Sequence, residues 1–337
     1  MTDPAKPATI YDVAEHAGVS ISTVSNVLNK PDRVAVGTRR KVLQVADELG
    51  YLPKATAIDL ARKQAGRIGV VAPFSTYPSY LRRLVGVMRA TKAQAVDISL
   101  IDQESAATAS SPLLASMPIR GVVDGLIVMG APIEESTEER LATRGLPVVL
   151  VDADSDRFSV VNIDDHGAGR RAAQHLLALG HRRIGYLSEQ QASDYESQAR
   201  RRLGGFRSEL AAHPDVVLTV AQAEGTMAAA REAALTLLSG PDRPTAVMAH
   251  FDDLALGVVH AAAELGLDVP GDLSVLGFDD GPAAEAAGLS TIRQPFEESG
   301  AVAVGLLLEA IAGATQRRMT LLDCTVVDRR TTAPPPL

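Results

Sequence analysis

Apolar residues recur at two different periods along this chain. Over the first fifty positions they return every three or four residues, the spacing that lines one face of a helix. Thr9 followed by Asp12 has the outline of a capping box and predicts a short helix ending at Ala17-Gly18. Ser20 is placed to cap a second helix running to Asn29, with Val24, Val27 and Leu28 on its inner face. A third helix over about 38–49 presents Val42, Leu43, Ala46 and Leu49 and stops at Gly50. Two short helices sharing a glycine turn, with a third in support, predict a helix-turn-helix unit. From Arg67 onward the pattern changes. Short β-branched runs at 68–73, 124–130, 147–153, 183–188, 246–251 and 273–280 alternate with segments of helix length. Continuous apolar runs are what strands buried on both faces require. Repeated strand-helix units predict doubly wound parallel sheets, and about 270 residues are too many for one. The fold class expected is therefore an all-α head followed by an α/β body of two parallel-sheet lobes, with a binding cleft between the lobes at the carboxyl ends of the strands.

Composition narrows the classes. Of the 337 residues, 46% are hydrophobic and 22% charged, the balance of a globular protein with several cores. The lone Cys324 rules out an internal disulfide framework and a thiolate metal cage. The first ten residues lack the apolar stretch of a signal peptide and no run reaches the roughly 20 apolar residues of a membrane span, so a cytoplasmic protein without membrane contact is expected. The net charge of −8 is unevenly spread: residues 1–67 carry 10 Lys and Arg against 7 Asp and Glu, leaving 23 against 34 for residues 68–337. A basic head on an acidic body suits a polyanionic partner for the head alone.

The outward positions of the second helix, Ile21, Ser22, Thr23, Ser25 and Asn26, are small, polar or able to hydrogen bond. They fit a recognition helix in the major groove, and equally a solvated helix face. The segments ATIYDVAEHAGVSISTVSNVLN and DELGYLP resemble the DNA-binding headpiece of the lactose/galactose repressor (LacI/GalR) family. That resemblance implies that Ile21, Ser22 and Asn26 face bases, and that Thr9, Tyr11, Thr23, Ser25, Asn29 and Arg33 contact phosphates. It further implies that residues 54–66 form a hinge helix that orders on operator DNA and wedges Leu60 into the minor groove. The chain departs from the family pattern at Ile58 and Asp59, which brings a carboxylate near phosphates, and at Ala35, which replaces the Ser cap of the third helix.

The resemblance extends through RGVVDGLIVMG, GLPVVLVD, GHRRIGYL, RRRLGGFRSEL, DRPTAVMAHFDDLALG, VPGDLSVLGFDD and LSTIRQPFEESG. It implies a headpiece at 8–53, a hinge at 54–66 and a body at 67–332 resembling periplasmic sugar-binding proteins. Lobe 1 would comprise about 67–161 and 295–322, and lobe 2 about 162–294 and 323–332. It implies a homodimeric transcriptional repressor on double-stranded operator DNA, controlled by a small sugar-like effector, with no cofactor, metal or catalysis. Ser79, Tyr80, Asp152, Arg202, Asp252 and Asp279 are the effector-binding positions that carry over. Carboxylates paired with Arg suit vicinal hydroxyls, the lesser alternative being that Asp252 or Asp279 simply caps a following helix. Phe251 stands where the family commonly has Asn, and fits either a ring stacked on the effector or a side chain packed between lobes.

Two rival readings compete. Gly167-Ala168-Gly169-Arg170-Arg171-Ala172 after a strand-like VVNI imitates a dinucleotide fingerprint, with Glu189 twenty residues beyond Gly169. Against it, Asp164, Asp165 and His166 place carboxylates where a pyrophosphate needs bare amides. The body alone would also read as a solute receptor of a transport system. Nucleophile-elbow, phosphate-loop and HExxH strings are absent from the sequence.

Overall fold

The computed structural model describes residues 8–29, 34–49, 51, 66–94, 96–105, 123–131, 133–192 and 197–336. The head holds α1 (Ile10–Ala17), α2 (Ile21–Asn29) and α3 (Val36–Glu48). Thr9 and Asp12 form the capping box, the Asp12 carboxylate accepting from Thr9 N at 2.6 Å. Gly18 ends α1 in the left-handed region at φ 63°, a conformation that costs a residue with a Cβ energy. Ser20 Oγ then accepts from Thr23 N at 3.1 Å and starts α2. Val13, Ala14, Ala17, Val24, Val27, Val42 and Ala46 are buried between the three helices. Helix α3 begins two residues earlier than its periodicity predicts, because Ala35 O accepts from Arg39 N at 2.9 Å, so the backbone opens the helix where no capping hydroxyl is present.

In the body the elements run β1 (Gly66–Ala72), α4 (Ser79–Thr91), β2 (Val96–Asp102), β3 (Gly125–Met129), α5 (Glu135–Thr143), β4 (Val148–Val151), β5 (Ser159–Ile163), α6 (Asp165–Ala178), β6 (Arg183–Glu189) and α7 (Gln198–Leu210). They continue with β7 (Val217–Ala223), α8 (Met227–Leu238), β8 (Ala246–Ala249), α9 (Asp252–Glu264), β9 (Ser274–Asp279), α10 (Pro282–Ala287), β10 (Ser290–Arg293), α11 (Phe296–Ile311), β11 (Met319–Leu322) and β12 (Thr325–Val327). Two six-stranded sheets result, ordered β11-β5-β4-β3-β1-β2 and β12-β10-β9-β8-β6-β7. All pairs are parallel except β10 with β12.

Alternate residues of the central strands enter different cores. In the first sheet Ile127 and Met129 join Val70, Val149 and Val161 under α4 and α11, while Leu126 and Val128 join Val71, Leu150 and Val160 under α5. In the second, Ile184, Tyr186, Met248 and Phe278 pack under α6 and α7, while Leu187, Val247 and Val275 pack under α8, α9 and α10. The chain passes between sheets after β5, after β10 and after β11. These three passages are the connections about which two such lobes can hinge.

Close helix packing sets the geometry of that space. A Cβ on Gly205 of α7 would lie 1.9 Å from His166 O of α6, and one on Gly169 would lie 2.0 Å from Arg202 O. The same device joins α4 to α11, where a Cβ on Gly86 would lie 1.9 Å from Glu297 O and one on Gly300 2.0 Å from Arg83 O. The Gly167-Ala168-Gly169 string thus serves helix packing. Asp164 Oδ1 accepts from Gly167 N at 2.8 Å and occupies the helix start that a pyrophosphate would need.

Candidate functional site

The head carries an exposed polar face. On α2, Ile21 is 42% exposed, Ser22 and Asn26 are exposed, and Thr23 and Ser25 are half-buried. Ser20 Oγ lies 2.8 Å from both Ser22 Oγ and Thr23 Oγ1, which holds these hydroxyls at the helix start. Tyr11, 67% exposed, projects from α1, and Thr9 is tied into its cap. The backbone of Asn29 closes α2; its side chain, Arg33 and Leu60 lie outside the described residues.

Parallel strands deliver the second site. The carboxyl ends of β1, β3 and β4 in one lobe face those of β6, β8 and β9 in the other, across a cleft of about 1000 Å³. All seven positions Ser79, Tyr80, Asp152, Arg202, Phe251, Asp252 and Asp279 line it. Three residues other than glycine take a positive φ among the described residues, Asp152 at 56°, Asp279 at 109° and Asp280 at 57°. All three follow or end strands at the cleft, where strained backbone gathers when surrounding structure holds it in place.

In the first lobe Arg83 is buried and donates to Asp152 Oδ2, with its guanidinium 4.9 Å from the Tyr80 ring centre and 4.3 Å from that of Phe296. In the second, buried Arg202 donates to Asp165 Oδ1 at 2.8 Å and to His250 O at 2.5 Å, and lies over the Phe278 ring at 3.3 Å. Burial pushes the Asp165 carboxyl up to about 6 against the pull of Arg202. Burial and the Arg202 charge hold His250 well below the ordinary imidazole range, so the ring is neutral. Desolvation also raises the carboxyl of Asp279, whose Oδ1 accepts from Gln294 Nε2 at 2.5 Å.

Asp252 has a different environment from the other carboxylates. Its Oδ2 accepts from Gly281 N at 2.7 Å and its Oδ1 from Thr291 Oγ1 at 2.6 Å, so it ties the start of α9 to the β9-α10 turn and to β10. Burial, then the nearby Asp279 charge, raises it to about 7. Phe251, as N-cap of α9, makes no side-chain capping bond; its ring meets His250 edge-on at 5.5 Å.

Several residues that sequence reading did not single out as ligands close the cleft. Tyr77 OH of the first lobe donates to Glu189 Oε2 of the second at 2.9 Å. Arg82 of the first lobe donates to the carbonyls of Asp279 and Asp280 at 3.1 and 3.0 Å, while Glu297 accepts from it at 3.0 and 3.1 Å. Gln198 donates to Asp152 O and Arg201 pairs with Asp154, both across the lobes. Glu189, singled out from sequence only as part of a dinucleotide string, ends β6 inside the cleft.

A helix-turn-helix head on a two-lobed body with an interlobe cleft defines a DNA-binding regulator controlled by a ligand. Known proteins of the same build bear this out. Residues 9–54 match the family described as bacterial regulatory proteins, lacI family, and residues 173–332 match the periplasmic binding protein-like domain. The lactose operon repressor of Escherichia coli K12 is 32% identical over 346 residues, covering 98% of this chain and 92% of that protein. The structure of the lac repressor dimer bound to operator and the anti-inducer ONPF superposes with a TM-score of 0.68 at 28% identity, covering 97% of this chain and all of that one. The complex of the transcriptional regulator CelR with cellobiose gives 0.67 at 26% identity, covering 96% and 99%. The chain belongs to the lacI family of bacterial transcriptional regulators.

Proposed function

We propose that this protein is a cytoplasmic homodimeric repressor that grips a pseudopalindromic operator with two heads, 8–53, joined by linkers, 54–66, to bodies whose clefts bind a sugar-like effector. It performs no chemistry on that effector. One observation carries the reading: a single chain holds both the exposed Ile21, Ser22 and Asn26 face and a cleft of about 1000 Å³ spanned by cross-lobe hydrogen bonds. The similar structures bound to operator, and to cellobiose, support the two partners.

The mechanism is a population shift. A ligand changes operator affinity only if it binds one arrangement of the lobes more tightly than another. Arg202 and Asp279 present a donor and an acceptor to vicinal hydroxyls, Asp152 and Tyr80 face them from the first lobe, and Phe251 offers an aromatic surface. Asp252 acts as a strut for this arrangement. In the head, Ile21, Ser22 and Asn26 read bases while Thr9, Tyr11, Thr23, Ser25, Asn29 and Arg33 hold phosphates, and Leu60 enters the minor groove. Selection from a random duplex pool, with and without mono- and disaccharides, tests the proposal. Enrichment of a two-fold symmetric sequence whose binding changes with one sugar is expected; full-length protein showing no preference for any duplex overturns it.

A further inference from the structure

Acidic side chains outnumber basic ones in the cleft. Among the described residues six carboxylates line it, those of Asp152, Glu189, Glu224, Asp252, Asp253 and Asp279, against the three guanidiniums of Arg82, Arg83 and Arg202. Each guanidinium is already paired within the protein: Arg83 with Asp152, Arg202 with Asp165 and the His250 carbonyl, and Arg82 with Glu297 and two carbonyls.

Acceptors, in contrast, remain open. Asp152 Oδ1 is buried and takes no hydrogen bond from any described residue. Glu189 is 3% exposed, and among the described residues its Oε2 accepts from two neutral donors, Tyr77 OH at 2.9 Å and Gln191 Nε2 at 2.8 Å. Desolvation raises its carboxyl against the pull of the Tyr77 and Gln191 hydrogen bonds and of the more distant Arg202 charge. An aromatic edge adjoins it: a Cβ on Gly225 would lie 2.6 Å from Glu189 Oε1 and 3.7 Å from Phe251 Cζ, so carboxylate and ring flank the same point. A buried carboxylate stabilises an ammonium group through a charge-assisted hydrogen bond, and a neighbouring ring adds to this where the ammonium lies over its face.

We propose that the effector is a hydroxylated amine, an amino sugar or close analogue, whose ammonium sits between Glu189 and Phe251, and that sugar phosphates are excluded. The proposal rests on the cleft being the effector site and adds the ligand's charge. A neutral sugar supplies hydroxyls to Arg202 and Asp279 but leaves Glu189 without an ion-paired partner; a phosphate meets surplus carboxylates and no guanidinium that is free of a protein carboxylate.

The test is calorimetric titration of the full-length protein near neutral pH with glucosamine, galactosamine and mannosamine, each against its parent hexose, its N-acetyl form and the hexose 6-phosphate. One hexosamine is expected to bind about tenfold or more tighter than its parent and its uncharged N-acetyl form, the usual margin of a charge-assisted over a neutral hydrogen bond. Glu189→Gln should bring that ratio close to one, and Phe251→Leu, which keeps the apolar volume, should reduce it severalfold. A parent hexose binding as tightly as its amine overturns the ammonium site and leaves the sugar reading standing. A 6-phosphate binding best overturns the exclusion of anions. No binding by any member overturns the sugar reading and the amine site together. Retention of the full ratio in both variants, each with an unchanged melting temperature, removes Glu189 and Phe251 from the site.

Discussion

Asn26 and Asp252 show how differently two polar side chains serve the same protein. Asn26 stands exposed on α2, and an amide that pairs bidentately with adenine contributes about 1–3 kcal/mol of discrimination. Asn26→Ala is therefore expected to lower the ratio of specific to nonspecific DNA affinity by roughly tenfold to a hundredfold, with nonspecific binding nearly unchanged. Equal losses on operator and random duplex, read by fluorescence anisotropy, would remove it as a base reader. Asp252 is buried and acts through the fold. Its carboxyl is raised to about 7 from 3.8, so folding takes up a proton across that range. The stabilisation this gives is complete below the unfolded value and is lost as pH rises through the folded one. Asp252→Asn keeps the shape and removes the titration. Between pH 5 and 8 the melting temperature of the wild type should fall relative to that of the variant; parallel curves would mean that Asp252 does not titrate in this range. Asp165, raised in the same direction, is common to both proteins and cancels in the comparison. For effector response the informative change is Asp279→Ala, which removes the acceptor paired with Gln294. Sugar is expected to lose its effect on operator binding, and an intact response in a reporter assay would move the site elsewhere.

At the level of elements, legibility in the sequence followed burial. Strands β1, β3, β4, β6, β8 and β9 lie inside their sheets with both faces covered, and each is a run of apolar letters. Strands β2 and β7 are sheet edges with residues alternately covered and open, so their letters mix VDISLID and VLTVAQA into what reads as loop or helix. The short β10, β11 and β12 depend on long-range pairing for their existence. The glycines of α6 carried a false signal, because a close helix contact, here with α7, and a phosphate-binding turn ask for the same residue. A pair of neighbouring substitutions separates these roles. Gly204 is exposed, and a Cβ added there would meet nothing within 4 Å, whereas one on Gly205 meets His166 O at 1.9 Å. Gly204→Ala should stabilise by roughly 0.5–1 kcal/mol through helix propensity. Gly205→Ala should destabilise by about 1–3 kcal/mol by forcing α7 off α6, and should also weaken effector binding because Arg202 moves away from Asp165. Denaturant midpoints shifting in the same direction for both would contradict this account of the interface.

For the whole molecule, the cleft was legible only in part, for a physical reason. Asp279, Asp252 and Arg202 stand in short distinctive strings, but Tyr77, Arg82 and Arg83 acquire meaning from partners 112, 197 and 69 positions away. Nothing local marks an arginine that will bridge two lobes. Arg82 is the best test of how the lobes are held, since it is anchored in the first lobe by a bidentate pair with Glu297 and donates to two carbonyls of the second. Charge-assisted hydrogen bonds of this kind contribute about 1.5–3 kcal/mol net. Removing them should shift the balance between closed and open lobes by roughly tenfold to a hundredfold toward open. If the effector binds the closed arrangement, its affinity falls by up to the same factor, because closure must then be driven by the ligand itself. Arg82→Ala should therefore give a larger radius of gyration for the effector-free protein by small-angle X-ray scattering, and effector at saturation should restore the wild-type value. A variant that loses affinity while its free and bound radii match the wild type would place Arg82 on the ligand and leave the lobes held by Tyr77, Gln198 and Arg201.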